Sequence, residues 1–526
     1  MKRLITLLLF IFSISQLSAQ VTVSNLRCEM LQNPQGIDVK QPRLSWQLQS
    51  NLRNVQQSAY QILMASSAEQ LNANKGDVWD SGKINSGQSV LINYAGKALA
   101  AKSPYFWKVK VYTNQGEVWS QPAQFSTGIF YKVDWKGRWI GMDKAFAWES
   151  VSQWSKLSAR YLRKDFKSEK TVKRAMVYLM GMGLYELYLN GNKVGDAVLA
   201  PVPTDYFQQV NYNTYDVTAQ IQSGKNTIGT ILGNGRYFTM RQDYKPYKIK
   251  NFGFPKLLLN LEIEYTDGSR ESISTDETWK LTADGPIRSN NEYDGEEYDA
   301  RKEFLNWSKP GFDDSKWMNA EFVQEPGGKY AAQMTPNMKV METIKPLSVK
   351  LLKPGVYILD MGQNMAGWLK MQMKGSAGTQ VNLKFAETLK EDGSLFTRNL
   401  RDAQSTDTYI LKGGETETWE PRFVYHGFRY VEISGFPGTP TIHNFEGRVV
   451  YDDLSTSGSF SSSNPVLNQV YQNAYWGIRA NYKGMPVDCP QRNERQPWLG
   501  DRTVGAYGES FLFNNATLYA KWLDDI

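Results

Sequence analysis

Two cysteines and two histidines in 526 residues leave little material for metal or redox chemistry. A structural zinc of the Cys/His kind cannot be assembled from them, and no other metal or cofactor is implied. Cys28 and Cys489 are far apart in the chain. They read as two small, partly buried thiols rather than as a disulfide. Basic runs are missing as well. The 60 Lys and Arg stand against 53 Asp and Glu, a net charge of +7 spread along the chain, which gives nucleic-acid binding no support. Beyond the first twenty residues no stretch is apolar enough to span a bilayer, so no membrane partner is expected.

The first residues, MKRLITLLLFIFSISQLSAQ, have a short basic start, an apolar run over 4–14 and small residues before Gln20. Residues 1–19 read as a secretory signal peptide, because the apolar run is too short to span a membrane. No cysteine follows the cleavage point, so a lipid anchor is not expected. The mature protein is expected to be exported, periplasmic or extracellular.

At roughly 100–200 residues per domain, the length suggests three to five domains. Aromatic residues make up 13% of the chain, with 16 Trp and 29 Tyr. β-rich cores favour such residues, and some rings could instead form platforms for sugars. Period-2 alternation marks residues 21–128, in SAYQILM (58–64) and YFWKVKVY (105–112). A turn at Thr113-Asn114-Gln115-Gly116 follows, as in an immunoglobulin or fibronectin-like sandwich. Residues 129–340 predict a larger sandwich, with AMVYLM (175–180), LYELYL (184–189) before the hairpin signal Asn190-Gly191, and LLLNLEI (257–263) before Asp267-Gly268. Residues 341–455 predict a third, with a strand over 355–360, a turn, a strand over 367–374 and another over 428–433.

After residue 455 the period changes. Asn464-Pro465 reads as a helix start, followed by a stripe of Leu467, Val470, Tyr471, Ala474 and Ile478. Residues 481–501 read as a loop. Val504, Tyr507, Phe511 and Leu512 form a second stripe, and Leu518, Trp522 and Leu523 begin a third. Two or three helices cannot bury both faces of a layer, so this helical region is expected to be incomplete.

The densest polar cluster is DCPQRNERQPWLGD, residues 488–501. Cleaving a glycosidic bond requires one carboxylic acid to protonate the leaving oxygen and a second carboxylate for water or for the sugar. Arg can hold hydroxyls or a carboxylate by paired hydrogen bonds, and Trp offers an apolar face. An ion-paired surface loop fits the composition equally well. Elsewhere the structural explanation is favoured. His426 reads as a packed histidine and His443 shows no partner. Asp299 and Arg301 read as an ion pair, and Gly362, Gly367 and Gly427 as turn residues. The acidic loop over 290–294 offers oxygens but fits no defined calcium loop.

The run over 488–501 resembles the signature of glycoside hydrolase family 78, the bacterial α-L-rhamnosidases. Further blocks follow in the family's order: GEEYDAR (295–301), DMGQNMAGW (360–368), TDTY (406–409) and YHGFRYV (425–431). The resemblance implies a multidomain, mainly β chain: three β-sandwich domains followed by the first helices of an (α/α)6 barrel over 456–526. It implies hydrolysis of terminal α-L-rhamnosyl linkages with inversion, on plant, algal or bacterial glycans. Glu494 matches the general acid, and Asp488, Arg492, Trp498 and Asp501 match residues lining the rhamnose pocket. Asp488 or Asp501 would raise the pKa of Glu494 by like-charge repulsion, while the flanking arginines would oppose it.

Asn493 stands where the family usually has Asp. Gln496-Pro497 replaces a common Leu-Gly, and Arg236 in GNGRY stands where Trp is usual. The family's general base is a downstream Glu that no residue here matches. The chain is therefore expected to be C-terminally truncated, without catalysis of its own unless a separately encoded barrel fragment completes it. The competing expectations are a non-catalytic carbohydrate-binding or scaffold protein derived from a rhamnosidase and, more remotely, an exported adhesin-like array of sandwich modules.

Overall fold

The computed structural model describes residues 21–149, 157–239 and 252–526. The signal-peptide reading of 1–19 lies outside the described residues. The chain divides into two compact units, one of residues 1–34 and 39–127, the other of 35–38 and 128–526.

The first unit is a small sandwich of a three-stranded and a five-stranded sheet. Pro104–Thr113 is its central strand, and alternate residues Tyr105, Trp107, Val109 and Val111 are buried, as period-2 patterning requires. One short helix, α1 (Ala68–Asn72), is capped by the Ser67 side chain.

The second unit opens with a sandwich of six and seven strands. Its strand Val172–Met182 is apolar on both sides for a reason the structure supplies. Ala175, Val177 and Leu179 enter the sandwich interior. Met176, Tyr178 and Met180 enter a separate aromatic core with Trp135, Trp139 and Tyr212. The Asn190-Gly191 signal does make a hairpin. Both residues have positive φ, 51° and 89°, and they join Leu184–Leu189 to Asn192–Lys193.

Next comes a ten-stranded sheet, and two features of it differ from the sequence reading. Strands Ile287–Asn291 and Gly295–Asp299, expected within the second sandwich, join this sheet instead, through parallel pairing of Gly295–Asp299 with Thr406–Ile410. The predicted turn between 360 and 367 is also absent. One strand, Val356–Met373, runs through. Its register against His426–Ser434 breaks between Asp360 and Met365 and resumes over 365–367; the first part also pairs with Ser348–Lys353 and the second with Phe445–Asp452. A bulge of this kind bends a strand without ending it.

Three helices follow: α2 (Pro465–Arg479), α3 (Leu499–Ser510) and α4 (Ala516–Asp524). Asn464 caps α2 as the sequence predicts, its side chain accepting from Val466 N. Of the stripe predicted over 504–512, Leu512 is buried in a small core with Phe513 and Leu518, whereas Val504, Tyr507 and Phe511 are exposed, as expected of an incomplete helical layer; the buried residues of α3 are Arg502 and Glu509. These two are ion-paired at 2.7 Å, and Glu509 also accepts from the hydroxyls of Tyr482 and Tyr519. The buried side of α3 is thus a satisfied polar network. Val466, Leu467 and Val470 of α2 are exposed as well. Among the described residues no helix is long and apolar enough to cross a membrane. Both cysteines are buried free thiols.

Candidate active site

The loop over 480–498 lies against the ten-stranded sheet. Gly427 explains the close approach: a Cβ there would meet the Cβ of Gln491 and the Cγ of Pro490, each at 2.9 Å. It serves contact between strand and loop rather than the expected turn. Arg495, with φ 51°, fastens the loop from inside. Its fully buried guanidinium donates to the carbonyls of Glu292, Tyr425, Arg492 and Gln491. Gln491 donates to Glu387 at 2.8 Å, and Asn493 donates to Asp402.

Glu494 is 8% exposed. Trp498 Nε1–H donates to its Oε1 at 2.8 Å. Its Oε2 meets Arg492 Nη2 at 2.8 Å and Arg401 Nη1 at 3.0 Å. Asp488 Oδ2 accepts from Arg492 Nη2 at 3.0 Å, and its Oδ1 accepts from Gln496 N at 2.6 Å. Four of the five site residues expected from the sequence, Asp488, Arg492, Glu494 and Trp498, are therefore brought together.

Asp501 is placed elsewhere. It belongs to the first turn of α3 rather than to the loop, and it is exposed; a carboxylate there complements the helix N-terminus. It meets Trp498 again in a cavity of about 660 Å³, whose wall also includes Tyr206, Arg236 and Trp522. Trp498 thus joins the two features, its N–H on Glu494 and its ring at the cavity.

Sequence reasoning missed Arg401, which reaches the site from the end of a 3-10 turn after Arg398–Leu400. No local signal reveals it, because a packed segment joins it to the loop through the small core of Tyr293, Leu400 and Ala403. Arg236 was singled out only as a departure from the family pattern. It pairs with buried Glu292 at 2.9 Å and donates to Arg495 O, and Lys483 also pairs with Glu292.

Among the described residues Asp488, Cys489 and Glu494 are the one group of three whose metal-ligand atoms all lie within 4.8 Å of one another. They suit a cation poorly. Arg492 and Arg401 already match the carboxylates. Burial, reinforced by Asp488, pushes the Cys489 thiol up to about 12, which keeps it protonated.

The remaining expectations concern packing. His426 is fully buried and stacked on Phe385, with Nε2 3.0 Å from Asp407 Oδ1 and Nδ1 3.1 Å from Ser405 Oγ. Arg301 and Asp299 form a paired contact, Nε to Oδ1 and Nη2 to Oδ2, both 2.8 Å.

Comparison with known proteins places this arrangement in a lineage. Family models match in order along the chain. They are described as a Rha78A-like N-terminal immunoglobulin domain (23–131), an alpha-L-rhamnosidase N-terminal domain (170–342), a bacterial alpha-L-rhamnosidase concanavalin-like domain (350–451) and a bacterial alpha-L-rhamnosidase 6 hairpin glycosidase domain (455–526). An alpha-L-rhamnosidase of Formosa agariphila is 38% identical over 517 residues, 97% of this chain and 55% of that protein. The solved alpha-L-rhamnosidase from Dictyoglumus thermophilum is 42% identical with a TM-score of 0.89, over 96% of this chain and 57% of that one. That of Streptomyces avermitilis, complexed with L-rhamnose, is 30% identical with a TM-score of 0.90, over 96% and 64%. The chain thus spans somewhat more than half the length of these relatives. By its domain order and its likeness along nearly the whole described length, the chain belongs to the bacterial α-L-rhamnosidase family, glycoside hydrolase family 78.

Proposed function

We propose that the protein acts in the hydrolysis of terminal α-L-rhamnosyl linkages, with Glu494 delivering the proton to the leaving oxygen. The observation that carries this reading is Trp498. Its N–H holds Glu494 while its ring lines a cavity large enough for a sugar. Asp488 and Arg492 fix the acid's surroundings, and Asp501 offers an acceptor to hydroxyls across the cavity. Inversion needs a second carboxyl roughly 6.5–9.5 Å away to activate water. No residue of this chain is assigned that role, so the full activity belongs to a protein that also supplies the base. The leader reading of residues 1–19 supports a periplasmic or extracellular site of action, on plant, algal or bacterial glycans.

Two guanidiniums beside a carboxylate favour its ionised form, whereas a general acid must arrive protonated. The reading therefore requires the incoming glycoside to displace a contact. Arg401, whose side chain is 42% exposed, is the one placed to leave. The same ion pairs support the second reading, a carbohydrate-binding protein without turnover in which Glu494 is a structural anchor.

Hydrolysis of an aryl α-L-rhamnoside, with the anomer of the released sugar followed by NMR, separates the two. Glu494→Gln is expected to lower kcat by about 10²–10⁴, the usual worth of a positioned acid. Turnover unaffected by this substitution refutes the acid role. Sugar binding with no turnover, with a complete barrel present, establishes the second reading.

A further inference from the structure

A second cavity, of about 430 Å³, lies between the second sandwich and the ten-stranded sheet. It shares no lining residue with the loop over 488–501 or with the larger cavity. Its wall carries three carboxylates, Glu186, Glu303 and Glu420, and three cations, Lys193, Lys370 and Arg422. Those charges look balanced until their partners are traced.

Glu303 is bound by Lys412 at 2.6 Å, and Glu420 by Arg448 Nε at 3.1 Å and Nη2 at 3.2 Å. Neither Lys412 nor Arg448 lines the cavity, so both carboxylates are neutralised from behind. That leaves Glu186 facing three cations. It takes Arg422 at 2.7 Å and Lys193 at 2.8 Å. Lys370 has only Glu446, at 3.8 Å, and Glu446 is held more closely by Lys345 at 2.7 Å. The cavity keeps a positive surplus.

The guanidinium of Arg422 is also underused. Arg422 spends Nη1 on Glu186 and on the Tyr188 hydroxyl. No acceptor among the described residues meets its Nε or Nη2, and the side chain is 35% exposed. Nε and Nη2 form the edge that grips a carboxylate through two parallel hydrogen bonds. Trp419 contributes an almost fully buried ring to the same wall.

We propose that this cavity is an accessory site for an acidic saccharide, a uronic acid residue whose carboxylate sits on the Nε–Nη2 edge of Arg422 with Lys370 nearby. Cation surplus and a free guanidinium edge select the carboxylate. The polar wall and the volume, which falls in the range of small-ligand pockets, select a sugar over an apolar acid. The preference for a sugar over another small carboxylate rests on the rhamnosidase reading; the anion site itself does not. A glycan carrying both sugars would be held here while its rhamnose end is presented elsewhere.

Titration calorimetry of the full chain with D-glucuronate and D-galacturonate, against D-glucose, D-galactose, succinate and sulfate, tests this. The uronates are expected to bind, more weakly as salt rises. Arg422→Gln is expected to weaken them by about tenfold or more, the worth of one charge-assisted contact. Because Arg422 also supports Glu186, Lys370→Gln serves as the variant that leaves that pair intact, with a loss of a few-fold. Glu494→Gln should leave uronate binding unchanged, so failure of the hydrolytic reading and failure of this one are separable. No uronate binding, equal binding of neutral sugars, equal binding of succinate or sulfate, or uronate binding indifferent to both cavity variants would each overturn the proposal.

Discussion

Arg401 Nη1 stands 3.0 Å from Glu494 Oε2, and the arginine that makes this contact has φ 59° and ψ −119°. That backbone region suits glycine and costs other residues about 1–3 kcal/mol. A half-exposed ion pair contributes only about 0–1 kcal/mol in return. This ion pair does not by itself offset that strain; what it does is hold the carboxylate of Glu494.

This separates two substitutions. Arg401→Gly removes the ion pair and the strain together, so stability is expected to stay level or rise by about 1 kcal/mol. Arg401→Ala removes the pair and keeps the strain, and should be the less stable of the two by roughly 1–2 kcal/mol. Urea denaturation of both variants checks the order. A glycine variant less stable than the alanine variant would show that the backbone there is not strained.

Trp498 has two separable functions. Trp498→Phe keeps a ring at the cavity and deletes the N–H on Glu494. In a protein with a complete barrel, kcat on an aryl rhamnoside should fall by about tenfold or more, with KM little changed, since the lost bond orients the acid. Trp498→Ala should raise KM as well, because the cavity wall goes too. Steady-state kinetics of the pair decides; equal KM in both variants would mean that the ring does not touch the sugar.

The sandwiches were legible in the sequence because alternation and turn chemistry act locally, as in Tyr105 to Val111 and at Asn190-Gly191. Most of the surroundings of Glu494 were legible because Asp488, Arg492, Glu494 and Trp498 lie within one loop, whose run resembles the family signature. Arg401 was not, because only the packing of a distant segment brings it there. The strand Val356–Met373 was broken in two by reading Gly362 and Gly367 as turn residues, whereas a bulge carries the chain through. The buried pair of Arg502 and Glu509 in α3 was not legible, because periodicity counts apolar residues and cannot see that two charged ones satisfy each other.

Gly427 predicts a test of how the loop is seated. Gly427→Ala places a methyl group 2.9 Å from Gln491 and Pro490, closer than van der Waals contact allows. Either the loop lifts or the strand shifts, at about 1–3 kcal/mol for an overpacked contact. The expected result is a lower melting temperature together with a loss of rhamnoside turnover larger than the stability change explains, because Glu494 rides on that loop. Unchanged turnover at full occupancy of the folded state would detach the loop's position from activity.

Two buried carboxyls make stability depend on pH in the direction opposite to ordinary ion pairs. Burial, with the neighbouring Asp407, pushes Glu296 up to about 8, and burial pushes Asp452 up to about 7. Their unfolded values lie near roughly 4.3 and 3.9. The folded state therefore holds these protons more tightly than the unfolded chain does. Their contribution is complete below about pH 4 and is lost as the pH rises through about 7–8, with a slope of at most about 1.4 kcal/mol per pH unit for each group. Glu186 works the other way. Burial would raise it, but Arg422 and Lys193 outweigh that and lower it to about 2, so its contribution is present above about pH 4.5 and fades as the pH falls toward 2. Stability measured by denaturant titration should accordingly peak on the acid side of neutrality and decline from about pH 5 to pH 8. Glu296→Gln keeps an uncharged group of the same shape and should flatten part of that decline. A stability profile that rises from pH 5 to pH 8 in the unsubstituted protein would mean that neither carboxyl retains its proton on folding.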